Sequence, residues 1–397
     1  MGTRSRLLGV LALALGGCGD NSADDTQAPV DASAPVDVAF TVGPHEPLPI
    51  VPSLSTSLLH HPAVVTVTFA GDPRRAQRES FAQWIVTSKW LAAAGSEYGI
   101  GSGTVAGAVS LPMTPPAMQT FDDIGSMLAK GITDGSIPKP ATGLGDALYL
   151  VYCPATTTIN ARSICGQVAT SCTEWEAYHH DAHVMGLDFA YAVLPDCGHS
   201  IAINEDAASH ELIEAATNPV PSVTPNYQLK VDATDPWFAY FGSCEVEVGD
   251  LCETPSADIT ESGHTAQRSW SNAAAAANQD PCVPADPKLP YFNTSAIPTA
   301  IQHVAPGGSV TYTLHGWSLT PIAPWSVYAG VEGSLGSKAT LAATATLSSH
   351  QMSNGGTSTL TVTVPADAKA GTSASIVLYS KRSLSDYHIW VLGVTTP

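Results

Sequence analysis

The pattern of apolar residues changes near residue 286 and divides the chain into two regions. Before that point, apolar runs such as Val64–Phe69 and Leu187–Leu194 alternate with segments like Phe81–Leu91, where apolar residues recur at helical spacing. The predicted order is strand, helix, strand, helix, strand, edge strand, strand, helix. This order is typical of a mixed sheet with helices packed on it, so we expect an α/β (α+β) domain over residues 46–286.

The sequence after residue 286 contains short alternating runs without helical spacing. Ser309–Leu314, Thr359–Val364 and Ser375–Tyr379 have the alternation of strands, and glycine-containing turns separate them. No cysteine occurs in this part of the sequence, so an apolar core has to hold it together. We predict an all-β, immunoglobulin-like sandwich over residues 287–397.

The first residues have the pattern of an export signal. Arg4 and Arg6 precede the apolar run Leu7–Leu15, and two glycines and Cys18 follow it. This combination is typical of a signal peptide, and nine apolar positions are too few to cross a bilayer. We interpret residues 1–17 as a lipoprotein signal peptide and Cys18 as the lipidated residue. Cleavage by the ordinary signal peptidase and a buried first helix are the alternatives.

The segment after Cys18 is predicted to be an acidic tether rich in Pro and Ala, over residues 18–45. Between Asn21 and Asp37 it contains Asp, Ala, Pro and Ser but no aromatic residue, so it lacks the material for a core. Such a tether would hold a folded body at a membrane surface through the lipid anchor. We therefore expect a membrane-anchored or secreted protein of the bacterial cell envelope.

The charge of the chain excludes one class of partner. The sequence has 16 basic and 35 acidic residues, a formal net charge of -19. A chain this acidic repels phosphate backbones. We therefore expect no nucleic-acid partner.

The cysteines other than Cys18 all lie in the central part of the sequence: Cys153, Cys165, Cys172, Cys197, Cys244, Cys252 and Cys282. In an exported protein, spacings that fit no zinc ribbon favour disulfides over metal ligands. Close pairs such as Cys165 with Cys172 and Cys244 with Cys252 are expected to close local loops. Because the number is odd, one thiol stays unpaired.

A five-residue segment from His210 to Glu214 has the spacing of a metal site on a helix, which we predict to begin at Asn204 and end near Thr217. Positions i and i+4 share one face of a helix, so His210 and Glu214 can hold one metal ion. Glu211 is then placed to accept a proton from water, as in the metalloprotease helix with two histidines. We predict zinc, and the glutamate ligand also admits calcium or manganese. The alternative is a solvated helix face.

A hydrolytic metal also needs a third protein ligand. The segment between Cys244 and Cys252 offers carboxylates in a loop that would be rigid if these two cysteines paired. We favour Glu247 as the ligand, with Asp250 as its support or substitute.

Histidines on the predicted edge strand are a second source of ligands. The segment Tyr178–His183 contains three histidines, and we place His180 and His183 at the cleft, where one of them would bind metal, contact substrate or stabilise an oxyanion. The alternative is a surface feature or a set of hydrogen-bonded side chains.

The stretch Val64–Cys282 resembles the EXORDIUM-like, phosphate-induced protein family and its bacterial relatives. The segments that carry the resemblance are Ala177–His179 before Phe189–Val193, His210–Thr217 with its Asn218-Pro219 ending, Glu247–Cys252 and Trp270–Asn272. The resemblance covers a little over half of the chain, leaves out the predicted sandwich and implies an extracellular protein. The order edge strand, strand, helix also resembles the zincin plan, in which the metal-binding helix follows a twisted sheet with an antiparallel edge strand.

Two functions follow from these observations. The first is an exported surface lipoprotein with a zinc-dependent, metallopeptidase-like hydrolase domain that acts on a peptide or protein. The second is a non-catalytic extracellular protein for adhesion or for binding carbohydrate or cell wall, with a structural metal or none. Glu211 separates them, because a proton acceptor is needed for hydrolysis but not for metal binding.

Overall fold

The computed structural model describes residues 39–162, 168–230, 236–237, 245–253, 258–333, 335 and 339–397. The predicted signal peptide, Cys18 and most of the predicted tether lie outside these residues. Within the described residues, no helix is long and apolar enough to span a bilayer.

Strands and helices of the first region form a mixed α+β structure. The strands, numbered along the chain, are β1 (Ala63–Phe69), β2 (Thr104–Leu111), β3 (Met118–Thr120), β4 (Ala147–Cys153), β5 (Thr158–Arg162), β6 (Val168–Thr170), β7 (Tyr178–Val184), β8 (Leu187–Pro195), β9 (Leu229–Lys230), β10 (Glu245–Val246), β11 (Asp258–Glu261), β12 (His264–Gln267), β13 (Ser269–Trp270) and β14 (Cys282–Val283). The helices are α1 (Arg75–Ile85), α2 (Lys89–Gly95), α3 (Phe121–Asp134), α4 (Ile201–Thr217) and α5 (Asn272–Ala276).

Five of these strands form the main sheet, in the order β2-β1-β4-β8-β7. Strands β2, β1, β4 and β8 are parallel neighbours, and β7 runs antiparallel to β8 at the edge. The mixed α+β class and the edge strand predicted from the sequence are confirmed, and the structure shows that this edge strand is antiparallel.

Alternation along the central strands gives the sheet two apolar faces. On β4, Leu148 and Leu150 belong to the core shared with α1, α2 and α4, whereas Tyr149 and Val151 belong to the core shared with α3. Successive side chains point to opposite faces of a strand, so helices cover both sides of this sheet. Helix α4 therefore lies on one defined face, next to β7 and β8.

Helix α4 begins earlier than the sequence predicts. Ser200 is the N-cap, and its hydroxyl accepts a hydrogen bond from the Ile203 backbone N–H at 3.4 Å. Asn204, the predicted start, lies in the first turn. A Ser side chain satisfies a free N–H of the first turn as well as Asn does, so composition alone did not choose between them.

The second region consists of two sheets. Its strands are β15 (Phe292–Ile297), β16 (Gln302–His303), β17 (Ser309–Ser318), β18 (Trp325–Val331), β19 (Thr344–Leu347), β20 (Gln351–Met352), β21 (Thr357–Thr363), β22 (Ser373–Lys381) and β23 (Tyr387–Thr395). One sheet has the order β15-β17-β21-β19 and the other β16-β23-β22-β18-β20. Buried side chains of both sheets, including Leu360 and Trp390, belong to one apolar cluster, as a sandwich requires.

The segment from Thr41 to Leu54 contacts both regions. The Gly43 N–H donates to Asn354 Oδ1 at 2.7 Å, and Asn354 Nδ2 donates to the Thr41 carbonyl at 2.7 Å. Further along, the Leu54 N–H donates to Asn226 Oδ1 at 3.0 Å. The last described residues of the predicted tether thus pack against the second region.

The described disulfides differ from the local pairs that the sequence suggests. Cys172 pairs with Cys197, and Cys252 pairs with Cys282. The expected pairs Cys165–Cys172 and Cys244–Cys252 are therefore wrong; Cys165 and Cys244 themselves lie outside the described residues. Strand and helix packing brings together cysteines 25 and 30 residues apart, which sequence spacing does not reveal. Cys153 is free and buried.

Candidate metal centre

The predicted metal-binding helix lies in the interior. On α4, His210, Glu211 and Glu214 are only 8%, 3% and 4% exposed. The helix is enclosed because it packs on the sheet beside β8 and against β12. The alternative of a solvated helix face is wrong, and these charged side chains need partners in the protein.

His210 and Glu214 meet as their spacing predicts. His210 Nε2 lies 3.2 Å from Glu214 Oε2. His210 Nδ1 lies 3.2 Å from Gln267 Oε1, and the Gln267 amide is oriented by its own donation to the Gly249 carbonyl at 2.7 Å. Because an amide oxygen only accepts, Nδ1 carries a hydrogen, and in the neutral ring Nε2 keeps a lone pair facing the carboxylate.

A second histidine, His179 on the edge strand β7, reaches the same carboxylates. It pairs in register with Ala192 of β8, whose side chain lies on the α4 face of the sheet. His179 Nδ1 lies 3.4 Å from Glu211 Oε2 and 3.8 Å from Glu214 Oε2. Its other nitrogen, Nε2, lies 3.2 Å from the Asn218 carbonyl, which leaves Nδ1 to face the carboxylates.

The two histidines that the sequence singled out for the cleft lie elsewhere. His180 packs against Phe121 and Tyr191, with ring centroids 5.6 Å and 6.1 Å away. His183 pairs with Asp188 at 2.7 Å, and its side chain is 63% exposed. Strand alternation explains the difference for His180, because neighbouring residues face opposite sides of the sheet. The same alternation, combined with the apolar face of β8, would have pointed to His179.

The two carboxylates proposed as the third ligand lie near different histidines. Glu247 Oε1 accepts a hydrogen bond from Asn218 Nδ2 at 2.7 Å and lies 3.7 Å from His179 Nε2. Asp250 Oδ1 lies 3.9 Å from His210 Nε2. Asp250 is therefore the better partner for His210, whereas Glu247 lies beside the opposite nitrogen of His179.

The loop that carries Asp250 also binds Glu214 through its backbone. The N–H groups of Gly249 and Asp250 donate to Glu214 Oε1 at 3.1 Å and 3.2 Å. A Cβ atom on Gly249 would lie 2.7 Å from Glu214 Oε1 and 2.9 Å from His210 Nδ1. Any larger residue here would push on the Glu214 carboxylate and the His210 ring, because the backbone passes so close to the metal-binding helix.

Glu253 completes the exposed side of the cluster. Its Oε1 lies 3.9 Å from His210 Nδ1, and its side chain is 26% exposed. The adjacent Cys252–Cys282 disulfide joins this loop to β14. The loop is thus held by a different cross-link from the one the sequence suggested.

Nearby carboxylates favour the charged form of both histidines. Burial opposes protonation of His179, but the charges of Glu247 and Glu211 outweigh it and raise its pKa to about 10. Burial likewise opposes protonation of His210, and Glu214 outweighs it, so the pKa of His210 lies well above its usual value. Without a metal, both rings are therefore imidazolium ions.

Glu214 lies where the two histidines meet. Burial raises its pKa to about 7; the positive charge of His210 opposes this rise and the negative charge of Asp250 adds to it. A carboxylate near this value loses its proton readily to a competing cation. The position of Glu214 therefore suits a metal ligand.

The separations between donor atoms fit a divalent metal. Ligand bonds of about 2.0–2.2 Å in a tetrahedral site place donor atoms about 3.3–3.6 Å apart. The 3.4 Å between His179 Nδ1 and Glu211 Oε2 lies in this range, the 3.2 Å between His210 Nε2 and Glu214 Oε2 is slightly shorter, and the 3.8 Å between His179 Nδ1 and Glu214 Oε2 is slightly longer. Two imidazoles with several carboxylates are also a donor set that metals of the first transition series accept.

Comparisons with known proteins give no independent assignment. No protein-family model and no curated protein matches the chain. Among solved structures, domains 1–6 of the surface layer protein SbsC share 17% identity over 27% of this chain and 13% of their own length, with a TM-score of 0.20. A conjugative transposon lipoprotein from Bacteroides eggerthii shares 10% identity over 26% of this chain and 95% of its own length, with the same TM-score.

A conjugate transposon protein from Bacteroides vulgatus is similar at the same level, with 13% identity over 28% of this chain and 90% of its own, at a TM-score of 0.20. Likenesses this weak carry no argument about fold or activity. The described disulfides are compatible with an extracellular or envelope protein.

Proposed function

We propose that this protein is an exported, metal-dependent hydrolase with a peptidase-like reaction. One observation carries the proposal. His179 and His210 are both buried, and one ring nitrogen of each lies beside an oxygen acceptor, whereas the second ring nitrogen of each faces Glu214 Oε2. Outer hydrogen bonds of this kind orient histidine ligands in metal sites. The zincin-like fold and the EXORDIUM-like family remain part of this proposal, as does the immunoglobulin-like identity of the second region.

His210, Glu214 and Asp250 are the residues that we propose hold the metal, with zinc as the preferred ion. A bound zinc ion supplies two effects, a water pKa near neutrality and a polarised carbonyl group. Gln267 orients His210, and the loop N–H groups at Gly249 and Asp250 orient Glu214. The proton-acceptor role of Glu211 stays a prediction; its Oε2 lies 3.4 Å from His179 Nδ1.

Substrate would approach this metal from the side of Glu253. Exposure of the side chains increases from His210 at 10% through Asp250 at 14% to Glu253 at 26%. A hydrolytic metal needs one position open to water and substrate. The loop side of the cluster is therefore where we expect the scissile bond to enter.

Metal analysis of the full-length protein, purified without chelator, tests the proposal. We expect bound zinc in the wild type and less bound zinc in His210→Ala, together with loss of casein or peptide-library cleavage. His183→Ala is the matched control, because that histidine lies on the same sheet but pairs with Asp188 at the surface. Wild-type protein that binds no divalent metal after zinc is supplied would refute the proposal.

A second candidate function is a non-catalytic surface protein with a structural metal. It is favoured by the closed inner side of the cluster, where the side chains of His179, Glu211 and Glu214 are only 4–5% exposed. Structural metal sites are closed, whereas catalytic ones keep an open position. Bound metal that raises the melting temperature, without cleavage of any peptide in a broad library, would select this candidate.

The lipid anchor is proposed on the sequence alone. Cys18 lies outside the described residues, and its role rests on the export signal before it. In a bacterial host, Cys18→Ser should move the protein from the membrane fraction to the soluble envelope fraction. An unchanged distribution would refute the anchor but not the metal site.

A further inference from the structure

Donor atoms around Glu214 form two groups rather than one. Within each group, one donor atom per residue lies within 4.8 Å of the others; the groups are His179, Glu211 and Glu214, and His210, Asp250 and Glu253. The first group is buried, and the second is buried only at its histidine. A single metal would use one group and leave the other without an ion.

Glu214 connects the two groups. Its Oε2 lies 3.8 Å from His179 Nδ1 in the inner group and 3.2 Å from His210 Nε2 in the outer one. Its Oε1 accepts the backbone N–H groups of Gly249 and Asp250, which fix the carboxylate in this position. A carboxylate between two histidine-containing groups has the position of a bridging ligand.

Each group also has its own oriented histidine. The Asn218 carbonyl holds His179 Nε2, and Gln267 Oε1 holds His210 Nδ1. These acceptors come from different segments, the end of α4 and strand β12, so the two rings are oriented independently. Two adjacent metal sites require one histidine ligand for each ion, and each of these histidines has its own hydrogen-bond acceptor that orients the ring.

Charge balance favours two ions over one. Five carboxylates surround the two histidines: Glu211, Glu214, Glu247, Asp250 and Glu253. Two divalent ions would bring four positive charges to these carboxylates, whereas one ion would bring two. The second ion therefore adds electrostatic stabilisation to a carboxylate-rich cluster.

We propose that the cluster binds two divalent cations that share Glu214. The inner cation is held by His179, Glu211 and Glu214, and the outer by His210, Asp250 and Glu214. Pairs of metals about 3.5–4 Å apart occur in aminopeptidases and phosphatases. The inference rests on the proposed function for the outer metal and gives Glu211 a ligand role in place of proton transfer.

Metal stoichiometry of the full-length protein tests this inference directly. Chelator-treated protein is titrated with Zn²⁺ alone and the bound ions are counted by native mass spectrometry. We expect two ions in the wild type and in His183→Ala, and one in His179→Ala, in Glu211→Gln and in His210→Ala. His179→Gln serves as a second variant if circular dichroism shows that His179→Ala does not fold.

The outcomes separate this inference from the proposed function. Saturation of the wild type at one ion, retained in Glu211→Gln and lost in His210→Ala, would overturn the second cation and leave the proposed hydrolase intact. No bound ion at all would overturn both. Loading with Mn²⁺ gives an independent measurement, because a carboxylate-bridged pair shows spin coupling in electron paramagnetic resonance and two separated ions do not.

Discussion

Buried histidines behave in opposite ways in the two regions of this molecule. In the α/β region, carboxylates outweigh burial and raise the pKa of His179 to about 10. In the β-rich region, His388 packs on the rings of Tyr291 and Phe292, and burial lowers its pKa to about 3 with help from the charge of Arg268. Both histidines are buried, so it is their partners that decide whether a ring is charged and whether it can serve a cation site.

The same contrast extends to the cores around these histidines. In the β-rich region the sheets share apolar side chains such as Leu360 and Trp390, and hydroxyl groups such as Ser380 and Thr294 form hydrogen bonds with each other. Around Glu214 the interior contains charges that need either each other or a metal. We therefore expect the stability of the α/β region to depend on metal and pH, and that of the β-rich region to depend on packing.

The largest effect is expected from removal of the central carboxylate. In protein saturated with Zn²⁺, Glu214→Gln should lower the free energy of unfolding by about 3–4 kcal/mol, because it removes the shared carboxylate ligand and with it the stabilisation that bound metal supplies. Urea denaturation measures this change. The control is Glu79→Gln, which removes an exposed i,i+4 pair with Arg75 and should cost less than about 1 kcal/mol. Equal effects of the two substitutions would contradict the comparison.

A packing defect in the β-rich region should lower the stability of the protein by the same amount whether or not metal is bound. Leu360 is fully buried in the shared core of the two sheets. Leu360→Ala should lower the free energy of unfolding by about 2–5 kcal/mol through the cavity it creates. The loss should be the same with and without bound Zn²⁺, measured by thermal unfolding in both states. A change in metal content of this variant would show that the regions are coupled.

A smaller effect is expected from a methyl group at Gly249. The added Cβ would crowd Glu214 Oε1 at 2.7 Å and displace the loop from α4. Gly249→Ala should weaken Zn²⁺ affinity about tenfold, equivalent to about 1.4 kcal/mol, as measured by competition with a chelating dye. Gly145→Ala is the control, since nothing lies within 4 Å of the corresponding Cβ position. An unchanged Kd in Gly249→Ala would remove this loop from the metal centre.

A further expected effect is a difference in pH dependence between His179 and His388. In metal-free protein, the folded pKa of His179 is raised, so its stabilisation is present below pH 6.5 and is lost as pH rises toward 10. The folded pKa of His388 is lowered, so its contribution is lost as pH falls from 6.5 toward 3. The Tm of His388→Phe minus the Tm of the wild type should therefore be about 2–4 °C higher at pH 4.5 than at pH 7.5.

The matching test of the alkaline side uses His179→Gln. Its Tm deficit relative to wild type should shrink between pH 6.5 and pH 10, since the wild type loses the stabilising proton there. If His179→Gln and His388→Phe changed the Tm at acidic pH in the same direction relative to wild type, the contrast between the two regions would be wrong.

Local features of the fold could be predicted from sequence. The apolar run of β8 and the i,i+4 meeting of His210 with Glu214 follow from the periods of strands and helices. These patterns depend on neighbouring residues along the chain. They therefore need no knowledge of the rest of the molecule.

Partners across the chain were decided only by the tertiary structure. Sequence spacing suggested Cys244 for Cys252, but packing of the loop against β14 selects Cys282. The segment between Cys244 and Cys252 suggested Glu247 as the third ligand, whereas the fold places Glu247 beside His179 Nε2 and brings His179 Nδ1 to Glu211. A helix period fixes which side chains share a face, but which strand, loop or cysteine meets that face depends on how the sheet and its connections pack in space.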